Sequence, residues 1–306
     1  MISKKLPATL VEAIGYFSDL DVATEFVANL RWPTGPACPR CGSKENSYLS
    51  TRRLWKCKGC KRQFSVKVGS VFEDSPLGLD KWLPSVWLIA NSKNGISSHE
   101  LARALGVTQK SAWFMLHRIR FAMQRGDFGK FDGTVEVDET YIGGKAANMH
   151  RAAREVRISG RGNVGKTGVQ GARKRETGTV HAEVIGDENL AANVAKWVEP
   201  GSVVYTDDAM AYRSLSKSFA HSSVVHDTEY VRGAVHTNGI ENFWSLLKRG
   251  LHGTYVSVDP IHLFRYVDER AFTYNLRELT DLGRFSAVLQ AVAGRRLTYV
   301  ELTDHA

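Results

Sequence analysis

The 306-residue sequence lacks any apolar run long enough to cross a membrane. Its longest predominantly apolar stretch, residues 82–90, contains a proline and is far shorter than the ~20 residues that a membrane helix needs. The N-terminus also lacks the apolar core of a secretory signal. With 43% hydrophobic and 24% charged residues, the composition excludes a disordered, collagen-like or coiled-coil chain. We therefore expect a folded cytoplasmic protein of two or three units, without a membrane partner.

Acidic residues are scarce in the first part of the chain. Residues 1–132 contain 20 Lys and Arg against 11 Asp and Glu, and residues 31–67 contain 10 basic residues and one acid. Residues 133–306 contain 21 basic and 21 acidic residues. Nine of these basic residues fall in residues 143–175, where Glu155 is the single acid. Concentrated positive charge favours a polyanionic partner, because each neutralised phosphate releases counterions. The alternative is a solvated basic surface.

Cysteine is absent outside one short region. Cys38-Pro-Arg-Cys41 and Cys57-Lys-Gly-Cys60 are two Cys-x-x-Cys pairs at the separation of a four-thiolate zinc site. Two disulfides are disfavoured in a cytoplasmic chain, and a redox motif is disfavoured because no βαβ pattern surrounds the pairs. Four thiolates close the coordination sphere of zinc, so we predict a structural ion rather than a catalytic one.

The segment around the cysteines reads as a zinc ribbon over residues 36–75, after an N-terminal helical segment, residues 1–35. Residues 48–56 are typical of a short hairpin, and residues 62–68 alternate as a strand does. We expect phosphate contact from six basic side chains of this ribbon: Arg52, Arg53, Lys56, Lys58, Lys61 and Arg62.

Residues 76–130 show the pattern of a DNA-binding helix-turn-helix. Ser97 and Glu100 form a capping box before one helix, Gly106 suits a left-handed helix end, and Thr108 suits the cap of the next helix. An ordinary helical hairpin is the alternative, which the neighbouring ribbon disfavours. We expect five side chains of the last helix to project away from its apolar side and to meet DNA: Gln109, Lys110, Trp113, His117 and Arg120.

Acidic residues in the second half fall on three predicted elements. Asp138 lies in the middle of a strand over residues 134–142, where an acid is costly unless a metal or another partner compensates it. Asp207 ends a buried strand, and Asp208 after it can cap the following helix. Glu241 lies on a helix over residues 238–250, and Lys248 follows two turns later on the same face.

The order of these elements and their sequence motifs resemble those of a known family. The motifs VDETYIGGK at 137–145, YTDD at 205–208 and NGIENFWS-x-x-KR at 238–249 follow the zinc ribbon. Together they resemble the zinc-ribbon DDE transposases of bacterial insertion sequences, of the ISXO2-like type, over roughly residues 25–280. The resemblance implies an α/β ribonuclease-H-like core with a mixed five-stranded sheet. It also implies a nucleoid-associated protein that acts as an oligomer on paired DNA ends.

By this resemblance, Asp138, Asp207 and Glu241 are the metal-binding triad, and Lys248 orients DNA phosphate. The chemistry implied is phosphoryl transfer with two Mg2+ or Mn2+ ions, which cleaves transposon ends and joins them through a DNA 3′-hydroxyl. Asp138 is expected to bridge both ions, with Asp207 and Glu241 each holding one. Glu241 is preferred as the third ligand, and its neighbours remain as alternatives: Asn238 and Asn242.

Two other functions stay open from the residues alone. One is a non-enzymatic DNA-binding regulator built from the ribbon and the helix-turn-helix, and the other is a nuclease that only cleaves. We expect the catalytic domain over 133–280, with a basic, glycine-rich insertion at 143–165 that either binds DNA or is a plain loop. Residues 260–278 read as a helix that covers the core. The tail, residues 281–306, is suited to docking or to dimerisation.

Overall fold

A computed structural model describes residues 5–124, 129–144, 164–186, 189–207, 210–224 and 235–303. The strands of these ranges are β1 Asn46–Leu49, β2 Leu54–Cys57, β3 Gln63–Phe64, β4 Thr134–Ile142, β5 Thr167–Lys174, β6 Val180–Ile185, β7 Val203–Asp207 and β8 Ala220–Val224. The α-helices are α1 Leu10–Phe17, α2 Leu20–Arg31, α3 Leu79–Asn91, α4 Ser98–Leu105, α5 Gln109–Met123, α6 Leu190–Trp197, α7 Asn238–Gly250, α8 Leu263–Asn275, α9 Asp281–Gln290 and α10 Tyr299–Thr303.

The chain folds into two compact units, of which the first is discontinuous. It contains residues 1–124 together with 276–306, and the second contains residues 125–275. The C-terminal segment therefore docks on the first unit of its own chain. Its Phe285 is fully buried and lies 5.5 Å from the ring of Phe17 and 5.1 Å from that of Trp87.

The ribbon of the first unit is a three-stranded antiparallel sheet in the order β1-β2-β3. The predicted hairpin is present as β1 and β2, and Trp55 packs between Trp32 and Phe64. The strand predicted over 62–68 is only two residues long. Turns replace its second half, because the hydroxyl of Ser65 accepts from the backbone N–H of Lys67 at 3.2 Å.

Helices α4 and α5 begin at the predicted caps, and α4 ends at the predicted glycine. Ser97 and Glu100 form the capping box of α4, and Gly106 ends that helix in the left-handed conformation with φ 66°. Thr108 then caps α5 by accepting from the backbone N–H of Ser111 at 3.1 Å. These local signals sufficed because each cap satisfies backbone groups of its own helix end.

The second unit contains a mixed sheet in the order β6-β5-β4-β7-β8, which confirms the predicted five strands. The central strand β4 is antiparallel to β5 and parallel to β7. Val135, Val137 and Val204 face a core that α6 covers. The opposite face of the sheet packs on α7 and α8, through residues that include Val169 and Phe243.

The structure refines one helix prediction in this unit and corrects another. The helix expected after β7 is a 3-10 helix, Met210–Lys217. The helix predicted over 260–278 begins as a 3-10 turn, Pro260–His262, and its α-helical part ends at Asn275. The side chain of Asn275 exchanges two hydrogen bonds of 2.7 Å with the backbone of Val180, which ties that end of the helix to β6. Among the described residues, none of the helices is long and apolar enough to cross a membrane.

Candidate functional site

The four cysteines form one cluster in the ribbon. The sulfur atoms of Cys38, Cys41, Cys57 and Cys60 all lie within 4.8 Å of one another. Sulfur pairs are 3.5 and 3.6 Å apart, far beyond the ~2.0 Å of a disulfide and close to the ~3.8 Å that separates ligands at 2.3 Å from a tetrahedral zinc. Backbone N–H groups, that of Cys60 foremost, lower the pKa of Cys57 to about 6 and favour its thiolate. The donor set therefore fits structural zinc.

The basic side chains of the ribbon are mostly exposed, as a phosphate-binding role requires. Exposed members are Arg52, Lys56, Lys58, Lys61 and Arg62. Arg53 differs, because its guanidinium pairs with Asp21 of α2 at 2.7 Å. A local ion pair thus engages this one member of the predicted set.

Helix α5 presents fewer polar side chains than its periodicity suggested. Gln109 and Lys110 are exposed in its first turn, and Trp113 is partly exposed. His117 and Arg120 are buried, with 0% and 1% exposure, so the prediction that they project from the helix is wrong. Helical periodicity groups residues by face, but the packing of α5 decides which faces are covered.

Asp138 and Asp207 lie on the same face of the second unit's sheet. The parallel ladder between β4 and β7 pairs Glu136 with Tyr205, and the two aspartates stand two residues further along each strand. Because side chains alternate along a strand, both point away from the valine core on the α6 side.

Asp138 is in an environment that opposes its negative charge. Burial raises its pKa to about 7, and the charges of Glu139 and Asp207 add to the effect. The indole Nε1 of Trp244 on α7 donates a hydrogen bond of 3.0 Å to Asp138 Oδ2. A carboxylate held this way is compensated either by a proton or by a cation, and a hard divalent ion suits oxygen ligands.

The third candidate acid, Glu241, lies on α7 one turn before Trp244. At 100° per residue, Glu241 and Lys248 are within about 60° of Trp244 around the helix, whereas Asn242 is about 160° away. Thr237 Oγ1 donates to Glu241 Oε1 at 2.7 Å. The helix thus turns Glu241 and Lys248 toward the side on which Trp244 meets Asp138.

The three carboxylates do not form a closed cluster. Within the described ranges, the cysteine set is the one group of three or more metal-ligating side chains whose donor atoms lie within 4.8 Å. Asp138, Asp207 and Glu241 therefore share one face of the unit without converging on a single point.

Sequence reasoning missed Glu136, a fully buried acid on the same face of β4. Its carboxylate accepts from Arg175 Nε at 2.8 Å and from the backbone N–H of Ile240 at 2.9 Å. Arg175 also donates to the backbone oxygen of His236 at 2.6 Å. A Cβ at Gly239 would lie 2.5 Å from Glu136 Oε2 and closer still to Nη1 of Arg173, so a larger residue here would require these two side chains to shift. This cluster ties the start of α7 to β4 and β5.

Glu139 belongs to the opposite face of the sheet. Tyr212 donates to its carboxylate at 2.6 Å, and Gln170 donates to the same tyrosine at 3.2 Å. Asn193 completes this buried network by donating to Gln170 at 3.1 Å. The neighbouring acids of β4 therefore have different partners, as strand alternation requires. Asp208 and residues 145–163 of the basic insertion lie outside the described residues.

Comparison with known proteins agrees with this organisation. Residues 130–275 match the model of the ISXO2-like transposase domain, and residues 19–63 match that of the transposase zinc-ribbon domain. A relative described as an uncharacterized protein in transposable element ISH50 of Halobacterium salinarum is 30% identical over 244 residues, which cover 75% of this chain and 82% of the relative. The chain therefore belongs to the ISXO2-like family of transposases and carries that family's zinc ribbon.

Proposed function

We propose that this transposase cleaves transposon ends and joins them to target DNA by phosphoryl transfer, with two divalent ions at the face of the sheet that bears Asp138. The observation that carries the proposal is the shared face of Asp138 and Asp207 beside α7, which brings Glu241 and Lys248 to the same side. The arrangement also supports a ribonuclease-H-like core, with β4 at the centre of the sheet.

The side chains of this face have distinct roles in the proposal. Asp138, Asp207 and Glu241 would hold the ions, and Lys248 would contact a DNA phosphate. When bound, Mg2+ or Mn2+ supplies Lewis acidity and an activated oxygen nucleophile. Because the helix turns Asn242 away from Trp244, we assign the third ligand to Glu241 rather than to this neighbour.

DNA is held by parts of the chain other than the acidic face. The exposed bases of the ribbon and the first turn of α5, with Gln109 and Lys110, would contact the phosphate backbone. Helices α4 and α5 would act as the helix-turn-helix, although His117 and Arg120 no longer belong to its proposed surface. We expect at least a dimer on paired DNA ends.

The test uses the full chain, Mn2+ and a DNA duplex that ends in the inverted repeat flanking its own coding sequence. Wild type should nick this duplex and transfer the strand to a target plasmid. Asp138→Asn should bind the duplex with unchanged affinity and neither nick nor join it. Glu139→Gln is the matched control, since it neutralises the next acid of the same strand on the opposite face, and it should retain most activity.

Each alternative predicts a different result. A cleavage-only nuclease would nick the duplex without joining it, and a regulator would bind the duplex without cutting it under any metal condition. Strand transfer by Asp138→Asn at the wild-type rate would contradict the assignment of the site.

A further inference from the structure

One contact links the central strand to helix α7 at the proposed site. Trp244 is 4% exposed, and its indole N–H donates to Asp138 Oδ2 at 3.0 Å. The two residues are 106 positions apart in the sequence, so the tertiary fold brings them together. Glu241 precedes Trp244 by one helical turn, and the same helix therefore carries a proposed ligand and this donor.

The neighbouring strand leaves space for the indole ring. Gly171 of β5 is the cross-strand partner of Asp138. A Cβ at this glycine would lie 2.7 Å from Cη2 of Trp244, which is shorter than real Cβ contacts, and 3.0 Å from Cζ2 of the same ring. The close approach of the ring to the sheet therefore depends on glycine at this position.

We infer that Trp244 is a positioning residue for Asp138, which holds the carboxylate in the orientation that binds a divalent ion. This inference rests on the proposed function, because it concerns a ligand of the proposed metal site. An ionised carboxylate has about four lone-pair sites, so one hydrogen bond at Oδ2 leaves others for a cation. Donors behind a ligating carboxylate fix its orientation and support metal affinity.

Tryptophan suits this role for a chemical reason. The indole N–H is a donor without an accepting lone pair, so it cannot bind the cation in place of the carboxylate. The large apolar ring also excludes water from the back of the site, since it is buried among residues of the α7 core that include Ile240 and Leu247.

The experiment is a calorimetric titration of Mn2+ into the full zinc-loaded chain, which reports metal binding without DNA. We expect Trp244→Phe, which removes the N–H, to weaken Mn2+ binding by about tenfold. Gly171→Ala should also weaken Mn2+ binding, because it displaces the indole ring. The double variant should lose less binding free energy than the two single variants together, because both changes act through one contact. If Trp244→Phe does not fold, the Mn2+ affinity of Gly171→Ala still tests whether the position of the indole ring affects metal binding.

The matched control is Trp197→Phe, the same change at a tryptophan of equal exposure (4%) on the α6 side of the same sheet. It should lower the thermal midpoint but leave the Mn2+ affinity within twofold. An unchanged affinity in folded Trp244→Phe, or an equal loss in Trp197→Phe, overturns the inference.

Asp138→Asn separates this inference from the proposed function. If Asp138→Asn loses Mn2+ binding while Trp244→Phe keeps it, the metal site stands and only the role of Trp244 is wrong. If Asp138→Asn binds Mn2+ as wild type does, the proposed site is wrong and the inference fails with it.

Discussion

Asp138→Asn should stabilise the second unit when divalent ions are absent. Burial and two neighbouring acids raise the pKa of Asp138 to about 7, above the ~3.9 of an unfolded chain. Between these values the folded state binds more protons than the unfolded state, so stability falls as the pH rises. One pKa unit corresponds to about 1.4 kcal/mol. Relative to a protonated carboxyl, ionisation of Asp138 therefore lowers the free energy of unfolding by about 1.5 kcal/mol at pH 5 and by about 4 kcal/mol at pH 8.

Native-state hydrogen exchange of peptides from β4 and β5 measures the local opening free energy that this ionisation affects. Asparagine carries no charge and can still accept from Trp244, so the variant should gain about 4 kcal/mol at pH 8 and markedly less at pH 5. Saturating Mn2+ should remove the advantage by stabilising wild type. Asp132→Asn, at an exposed acid paired with Lys174, should give no such gain. Equal protection of wild type and Asp138→Asn at pH 8 would refute the reasoning.

Three further predictions concern other parts of the molecule. Glu136→Gln should lower the free energy of unfolding of the second unit by about 3–5 kcal/mol in chemical denaturation, since it leaves the Arg175 guanidinium without its buried partner, whereas Asp132→Asn should have a small effect. Cys57→Ser should reduce the zinc content measured by mass spectrometry from one ion per chain to none, and undiminished zinc would contradict the four-thiolate site. Lys110→Ala should reduce the slope of log affinity for DNA against log salt concentration by about 1, and an unchanged slope would remove Lys110 from the DNA surface.

Local signals were sufficient to predict strand β4, the caps of α4 and α5 and the cysteine cluster of the zinc ribbon. The two Cys-x-x-Cys pairs identified their cluster, because the spacing of four thiolates reflects the geometry of the ion they bind. The caps at Ser97, Gly106 and Thr108 marked both ends of α4 and the start of α5, because each cap acts within a few residues of the chain. The β-branched residues of the segment 134–142 predicted β4 with the bounds that the structure has.

Tertiary packing decided which faces of these elements are covered and which distant residues meet. The periodicity of α5 could not show that His117 and Arg120 are buried, because a helical pattern does not identify what lies against each face. The sequence pattern of β4 also could not show that the negative charge of Glu136 is compensated by Arg175, which lies 39 positions away. Sequence patterns alone predicted strand β4, the caps of α4 and α5, the thiolate cluster and the candidate acids. The tertiary structure alone decided that Trp244 meets Asp138, since this contact depends on the packing of α7 against a sheet face that glycine leaves open.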